Sequence, residues 1–126
     1  MDRIKLYHYS NSDFKGYIKP DFFGFNTYSH YSARLSGVKR SYFYTDKNNK
    51  EFYFYGSKFC YIVKIDKNKL YNICEDKLKV YDRVKDVYKT IKNKGYSGIS
   101  GLLGDFCGCV VLFKAIKINK RLTLTK

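Results

Sequence analysis

The fold is decided by the stretch Ile4-Lys5-Leu6-Tyr7-His8-Tyr9-Ser10, which lies close to the start of the given sequence. Its apolar and aromatic side chains predict a β-strand over residues 3–9. A histidine lies inside this run, and a serine follows two residues later. Because a titratable side chain in such a strand is a candidate for chemistry, the stretch indicates a site as well as a core.

Two further runs of the same kind occur later in the chain. The second is Arg40-Ser41-Tyr42-Phe43-Tyr44, and the third is Cys109-Val110-Val111-Leu112-Phe113. Both predict strands, the third one buried. Three separated strands therefore form the centre of the predicted sheet, and side chains from the first two are expected to meet in one cleft.

The main predicted helix covers residues 76–93. Apolar side chains recur there at helical spacing and form one stripe, which consists of Val80, Val84, Val87, Tyr88 and Ile91. Gly95 is suited to the position just after the helix. We expect this stripe to be buried against one face of the sheet.

The remaining elements are short. Residues 10–38 are rich in Ser, Asn, Gly and aromatic residues, and residues 28–35 could form a helix within them. Further strands are predicted at 51–55, 59–65, 70–72, 96–99 and 116–124, with a loop at 101–108. The pattern predicts one domain over residues 1–126, an α+β fold with mostly β-structure and one main helix.

Composition limits the class of protein without identifying its function. The chain is 44% hydrophobic and 19% aromatic, which excludes a wholly disordered chain. No apolar run approaches the roughly 18 residues that cross a bilayer, and no signal-peptide pattern is present, so a cytoplasmic protein without a membrane partner is expected. The cysteines form no Cys-x-x-Cys pair, which predicts reduced thiols and no metal site.

The formal net charge of +14 has two interpretations. A strongly basic surface attracts polyanions and suits a nucleic-acid partner. However, most of the 25 basic residues are lysine, and Lys, Asn, Tyr, Phe and Ile are the residues of AT-rich codons. A skewed genome would produce the same excess without selection for a polyanion, so both interpretations stay open.

The three runs, in this order, resemble the ADP-ribosyltransferase fold, in the branch related to diphtheria toxin and poly(ADP-ribose) polymerases. That branch carries a His-Tyr-Glu triad on three separated strands. Leu6-Tyr7-His8-Tyr9-Ser10 is similar to its first strand, and Ser41-Tyr42-Phe43-Tyr44 to its second. Gly95-Tyr96-Ser97-Gly98-Ile99, followed by the strand at 109–113, resembles small bacterial and phage members. The resemblance spans nearly the whole chain and implies a split β-sheet.

The resemblance also implies roles for particular residues, with NAD⁺ as the substrate. His8 would hydrogen-bond a ribose hydroxyl, Ser10 would support that strand or the ribose, and Tyr42 would stack on the nicotinamide ring. Arg40 is a candidate for a dinucleotide phosphate or for a strand edge. The backbone of Tyr9 and the ring of Tyr44 would complete the NAD⁺-binding residues.

Two positions depart from the family pattern. Tyr9 replaces the usual glycine and leaves less room beside the nicotinamide amide. The third strand lacks the family's glutamate, because Gly108 and Cys109 precede Val110, and Asp105 on the preceding loop is the nearest carboxylate. Asp105 then either stabilises the positive charge that develops on the ribose or is a turn residue in an incomplete triad.

Two functions are therefore predicted as alternatives. The first is an NAD-dependent mono-ADP-ribosyltransferase that modifies a protein or nucleic acid, consistent with a phage or mobile-element effector in the host cytoplasm. The second is an inactive member of the fold that binds nucleic acid or protein through a basic, aromatic surface. The retained His8 and Tyr42 favour the first, and the missing glutamate favours the second.

Overall fold

The structure is a computed structural model that describes residues 3–20, 39–45, 57–80, 87–102 and 109–124. Several predictions lie outside the described residues. They are the helix at 28–35, the strand at 51–55, the position of Val84 in the helical stripe, and Asp105.

Nine strands and one α-helix occur in the described residues. The long strands are β1 (Arg3–Ser10) and β4 (Phe59–Asp66), and the helix α1 comprises Val87–Asn93. The shorter strands are β2 (Tyr17–Ile18), β3 (Ser41–Tyr44), β5 (Leu70–Asn72), β6 (Gly98–Leu102), β7 (Cys109–Leu112), β8 (Ile116–Lys117) and β9 (Lys120–Thr123). The α+β class is confirmed. The strand predictions at 3–9, 40–45, 59–65 and 109–113 are correct to within one residue at each end.

Seven of these strands form one sheet, in the order β5-β6-β7-β3-β1-β4-β9, while β2 and β8 form a separate two-stranded ribbon. The strands of the three sequence runs, β7, β3 and β1, are therefore neighbours at the centre. Within this sheet, β5 and β6 pair in parallel and the other neighbours pair antiparallel. A parallel pair needs a crossover, and α1 lies in the segment between β5 and β6.

The sheet carries a hydrophobic cluster on each face. Helix α1 covers one face, where Val87 and Ile91 pack with Ile99 of β6 and Val111 of β7. The second cluster lies on the other face, where the ribbon contributes Ile18 and the sheet contributes Leu6, Phe43, Tyr61, Val63, Leu70, Val110 and Leu112. We call these the helix face and the ribbon face. Alternation along each strand supplies both clusters.

The predicted start of the helix was wrong. Residues 76–79 form turns, and Asp76 and Lys79 have φ values of +44° and +54°, which a right-handed helix does not contain. The Asp76 carboxylate accepts hydrogen bonds from the backbone N–H of Val80 and from the Tyr71 hydroxyl, so it organises the turn. Val80, Val87 and Ile91 are fully buried, which confirms the apolar stripe at its described positions.

Gly98 allows β6 to approach β7 closely. A Cβ atom at this position would collide with the Val111 carbonyl oxygen and would lie 2.7 Å from Cδ2 of Leu112. Both neighbours belong to the core strand β7, so neither can move aside cheaply. The parallel end of the sheet therefore requires glycine at residue 98.

Two remaining sequence predictions can be compared with the described residues. The search for a membrane-crossing helix, limited to the described residues, found none of sufficient length and apolarity. Cys60 is buried, whereas Cys74 is exposed on the turn after β5, where its thiol donates to the Gly101 carbonyl oxygen.

Candidate functional site

The two edges of β1 are paired very differently. With β4, the strand pairs along its whole length, from Arg3 opposite Asp66 to Ser10 opposite Phe59. With β3, the register within the described residues is limited to Tyr7 opposite Tyr44. We call the region beyond that pair the seam, which consists of residues 8–10 of β1 and 41–43 of β3.

The His8 side chain bridges the seam. Its Nδ1 lies 2.6 Å from the backbone carbonyl oxygen of Tyr42, so the imidazole bonds a strand carbonyl. Because a carbonyl oxygen can only accept, Nδ1 carries the proton and donates it. In the neutral ring Nε2 is then the acceptor, which fixes the tautomer of His8.

His8 lies in an aromatic environment on the ribbon face. The centroid of its ring is 5.2 Å from that of Phe43, 5.8 Å from that of Phe14 and 6.4 Å from that of Tyr61. Burial lowers the pKa of His8 below its ordinary value of 6.5, and the bond to the Tyr42 carbonyl only partly opposes this. The ring is therefore neutral at pH 7, with an acceptor at Nε2.

The segment that follows β1 folds back across the ribbon face beside His8. The buried Tyr61 hydroxyl donates to the Ser12 carbonyl oxygen at 2.5 Å and accepts from the backbone N–H of Phe14 at 2.9 Å. The Asn11 side chain accepts a bond from the backbone N–H of Lys58. We call residues 11–14 the strap, because these bonds hold it against β4 with the Phe14 ring next to the imidazole.

A carboxylate on the strap is held by two basic side chains. Asp13 forms ion pairs with Lys15 and with Arg121 of β9, and Arg121 also lies 4.9 Å from the centroid of the Phe59 ring. The hydrogen bond from Lys15 and the Arg121 charge keep the pKa of Asp13 below its ordinary value. Asp13 is therefore an ionised group at the surface of the ribbon face.

The prediction that the His8 and Tyr42 side chains line one cleft is wrong. Side chains alternate along each strand, and Phe43, the neighbour of Tyr42, is the ring that packs against His8. Tyr42 and Tyr44 pack instead against the cluster on the helix face. The sequence could not reveal this, because it does not give the register between strands so far apart in the chain.

The other predicted residues divide between the two faces. Ser10 alternates with Tyr9, so it shares the ribbon face with His8, and its Oγ accepts a bond from the backbone N–H of Ser12. Tyr9 lies on the helix face, with its ring centroid 6.3 Å from that of Tyr44. Asp105 is outside the described residues, so its relation to either group is a prediction.

Arg40 also belongs to the helix-face group. Only 4% of it is exposed, and its Nε donates to the Tyr42 hydroxyl at 2.8 Å. The guanidinium carbon lies 5.8 Å from the Tyr42 ring centroid. Arg40 is thus buried and bonded to a residue of its own strand, and the two roles that the sequence left open for it, phosphate ligand and strand-edge residue, stay predictions.

Sequence reasoning missed several residues that shape the ribbon-face site. Phe14 and Tyr61 place the strap next to the imidazole, and Ser41 lies buried at the seam. The only signal for Tyr61 was its inward position in the predicted strand at 59–65. Ser41 had no signal, because serine is more often exposed than buried.

A separate cavity of about 400 Å³ lies along β5, away from these residues. Its lining is polar and of mixed charge, with Lys67, Lys77 and Glu75 beside the rings of Tyr71 and Tyr96. None of the predicted site residues that the structure describes lines this cavity.

Neither family models, nor curated proteins, nor solved structures match this chain. The geometry and chemistry at the seam are therefore the basis for a functional proposal.

Proposed function

We propose that the protein binds NAD⁺ at the seam, on the ribbon face, and transfers its ADP-ribose to a protein or nucleic-acid acceptor. One observation carries the proposal. The strands that the resemblance singles out, β7, β3 and β1, are adjacent at the centre of the sheet, and the β1–β3 pairing ends where His8 lies. A sheet whose pairing ends beside a central histidine supports the split β-sheet that the resemblance implies.

The state of His8 suits the role that the resemblance gives it. A ribose hydroxyl is a donor, and Nε2 of the neutral tautomer is an acceptor. The bond from Nδ1 to the Tyr42 carbonyl fixes the orientation of the ring, so the acceptor is held in place before a ligand arrives. Burial keeps the ring uncharged at pH 7, as this role requires.

The aromatic partner of the nicotinamide ring is reassigned by the geometry. Tyr42 lies on the helix face, whereas Phe14 and Phe43 lie beside His8. Phe43 is fully buried and Phe14 is half-buried on the strap. Phe14 is therefore the ring that we assign to stacking on the nicotinamide, in place of Tyr42.

The proposed reaction breaks the bond between the ribose C1′ and the nicotinamide nitrogen. Nicotinamide leaves with the electron pair, the acceptor's lone pair forms the new bond to C1′, and the acceptor's proton is released to solvent. Positive charge develops on the ribose and is stabilised by a nearby anion. The resemblance makes Asp105 the candidate for this anion, because it is the carboxylate nearest in sequence to the third strand.

The test is NAD⁺ binding by calorimetry, followed by transfer of labelled ADP-ribose in the presence of cell lysate as the source of acceptor. We expect binding by the wild type and at least tenfold weaker binding by His8→Phe, which lacks the Nε2 acceptor. Tyr17→Phe, at an exposed ribbon position, is the control and should bind like the wild type. Failure of the folded wild type to bind NAD⁺ would refute the proposal.

A matched variant tests the catalytic carboxylate. Loss of one electrostatic stabiliser typically lowers a rate by about 10²–10³-fold, so Asp105→Asn should bind NAD⁺ and transfer ADP-ribose far more slowly. Equal transfer by wild type and variant would remove Asp105 from the mechanism. Binding without any turnover by the wild type would favour an inactive member of the fold.

A second candidate function is single-stranded nucleic-acid binding, and the helix face favours it. Alternation along β1 and β3 puts Tyr7, Tyr9, Tyr42 and Tyr44 on that face, and the net charge is +14. Aromatic rings beside lysines are what sequence-tolerant single-strand binders use. Binding of an oligonucleotide that persists at high salt and is lost in Tyr7→Ala would support it. Binding that disappears with salt in wild type and variant alike would show bulk charge attraction.

A further inference from the structure

Ser41 carries a buried hydroxyl that has no hydrogen-bond partner among the described residues. The residue is 1% exposed, and its Oγ makes no hydrogen bond within the part of the chain that the structure describes. Buried polar atoms in proteins are nearly always hydrogen-bonded, so an unpaired one needs an explanation. A bound ligand or an ordered water supplies the missing partner at such a position.

The position of Ser41 connects this hydroxyl to the proposed site. Ser41 begins β3 and alternates with Tyr42, so it faces the same side of the sheet as Phe43 and His8. It pairs with Leu112 of β7 and is the first β3 residue of the seam. The ribbon face of the seam thus has three polar side chains, those of His8, Ser10 and Ser41. Ser10 already accepts a hydrogen bond from the backbone N–H of Ser12, so the imidazole of His8 and the hydroxyl of Ser41 are the pair considered for a ligand.

The chemistry of this pair selects for an uncharged group. His8 is neutral, Ser41 has no formal charge, and the buried Arg40 points to the opposite face. A phosphate would lack a counter-charge here, whereas a hydroxyl or a carboxamide can both donate to Nε2 and accept from a serine. The seam therefore matches the nicotinamide riboside end of a dinucleotide.

We propose that Ser41 is a specificity-determining residue whose hydroxyl hydrogen-bonds an uncharged polar group of the ligand, at the nicotinamide riboside end. This inference rests on the proposed binding of NAD⁺ at the seam, with its nicotinamide end beside His8 and Phe14, and adds the residue that recognises that end. The phosphates of NAD⁺ would then lie outside the seam.

The experiment compares wild type, Ser41→Ala and Ser41→Cys, with Ser100→Ala on β6 as the control serine. Two quantities are measured: the melting temperature without ligand, and the dissociation constants for NAD⁺ and for ADP. We expect Ser41→Ala to melt at or above the wild-type temperature, since it removes an unpaired buried hydroxyl. Its affinity for NAD⁺ should fall about tenfold while its affinity for ADP is unchanged.

Each outcome decides one of the two proposals. A wild type that does not bind NAD⁺ refutes the proposed function and the Ser41 assignment together. Binding of NAD⁺ with equal affinity by wild type and Ser41→Ala overturns the Ser41 assignment alone, and shows that a water satisfies the hydroxyl. Equal losses for NAD⁺ and ADP also overturn it. If Ser41→Ala is unfolded, the same comparison is made with Ser41→Cys, which keeps the volume but hydrogen-bonds weakly.

Discussion

The two edges of β1 show what holds this sheet together and what is left for a ligand. On one edge β1 pairs with β4 from Arg3 to Ser10, and β4 continues the sheet to β9. On the other edge the pairing with β3 is limited to Tyr7 and Tyr44 in the described residues. There the His8 imidazole donates a hydrogen bond to the backbone carbonyl of Tyr42. The first edge is a continuous backbone ladder, whereas on the second edge the His8 side chain bonds the facing strand beyond the Tyr7–Tyr44 pair.

This difference suggests that the β4 edge of β1 contributes mainly to stability and that the seam contributes mainly to ligand binding. A continuous ladder tolerates many side chains, because the backbone makes its bonds. A carbonyl that is bonded by an imidazole depends on the identity of one residue. Variants of core residues on the β4 edge, such as Leu6, should therefore affect mainly folding, whereas variants at the seam should affect folding less and ligand binding strongly.

The largest effect is expected on the continuous edge. Leu6 is fully buried opposite Val63, so Leu6→Ala should leave a cavity and lower the free energy of unfolding by about 2–5 kcal/mol. Urea denaturation followed by circular dichroism measures it. Lys64→Ala, at an exposed position of β4, is the control and should stay within about 0.5 kcal/mol of the wild type. A loss below 1 kcal/mol for Leu6→Ala, on the order of a surface change, would contradict the comparison.

A smaller effect is expected at the seam. His8→Phe keeps a ring of similar shape but removes the donor to the Tyr42 carbonyl, which should lower the free energy of unfolding by about 1–3 kcal/mol. His8→Gln retains an N–H donor and should lose less. The same denaturation experiment ranks the two variants. Equal stability of His8→Phe and wild type would show that the imidazole does not support the seam.

The strap should respond more weakly still. Tyr61→Phe removes the hydroxyl that bonds Ser12 and Phe14, with an expected loss of about 1 kcal/mol. Hydrogen exchange should become faster at the backbone N–H of Phe14, because the bond that protects it is gone. Tyr17→Phe, an exposed tyrosine, should change neither quantity. Unchanged exchange at Phe14 in Tyr61→Phe would disprove the strap's anchoring.

The smallest effect is a pH dependence from one group. The folded protein holds fewer protons at His8 than the unfolded chain does, because burial lowers the folded pKa below 6.5. Stability from this group is therefore complete above about pH 6.5 and is lost as the pH falls through the folded pKa. Denaturation at several pH values should show a shallower acid slope in His8→Gln than in wild type. Identical slopes would mean that His8 is not held neutral.

Most of the fold could be predicted from the sequence, because alternation and helical spacing act over a few neighbouring residues. The strand at 3–9 and the buried stripe at Val80, Val87 and Ile91 were read from such patterns. The predicted helix start was wrong because Asp76 and Lys79 adopt positive φ values, which residue type alone does not predict. The acidic side chain that looked like a helix start organises a turn instead.

The site was less predictable, for a physical reason. The face of the sheet on which the Tyr42 side chain lies depends on the register between β3 and β1. The sequence does not determine this register, because a long segment separates the two strands. His8 was found, since a histidine in a strand is visible in the sequence. Its partner is a backbone carbonyl and its neighbours come from the strap and β4, so no local pattern could name them.

The tight contact at Gly98 has a consequence for how sequences drift. Any larger residue there meets the Val111 carbonyl, so selection would remove it whether or not the protein has retained an activity. In a lineage whose members lose or change their chemistry, His8 would be retained only for its hydrogen bond to the Tyr42 carbonyl, whereas Gly98 would stay fixed. The stretch Gly95-Tyr96-Ser97-Gly98-Ile99 should therefore identify relatives that share this fold, whereas variation at the seam should follow changes of function.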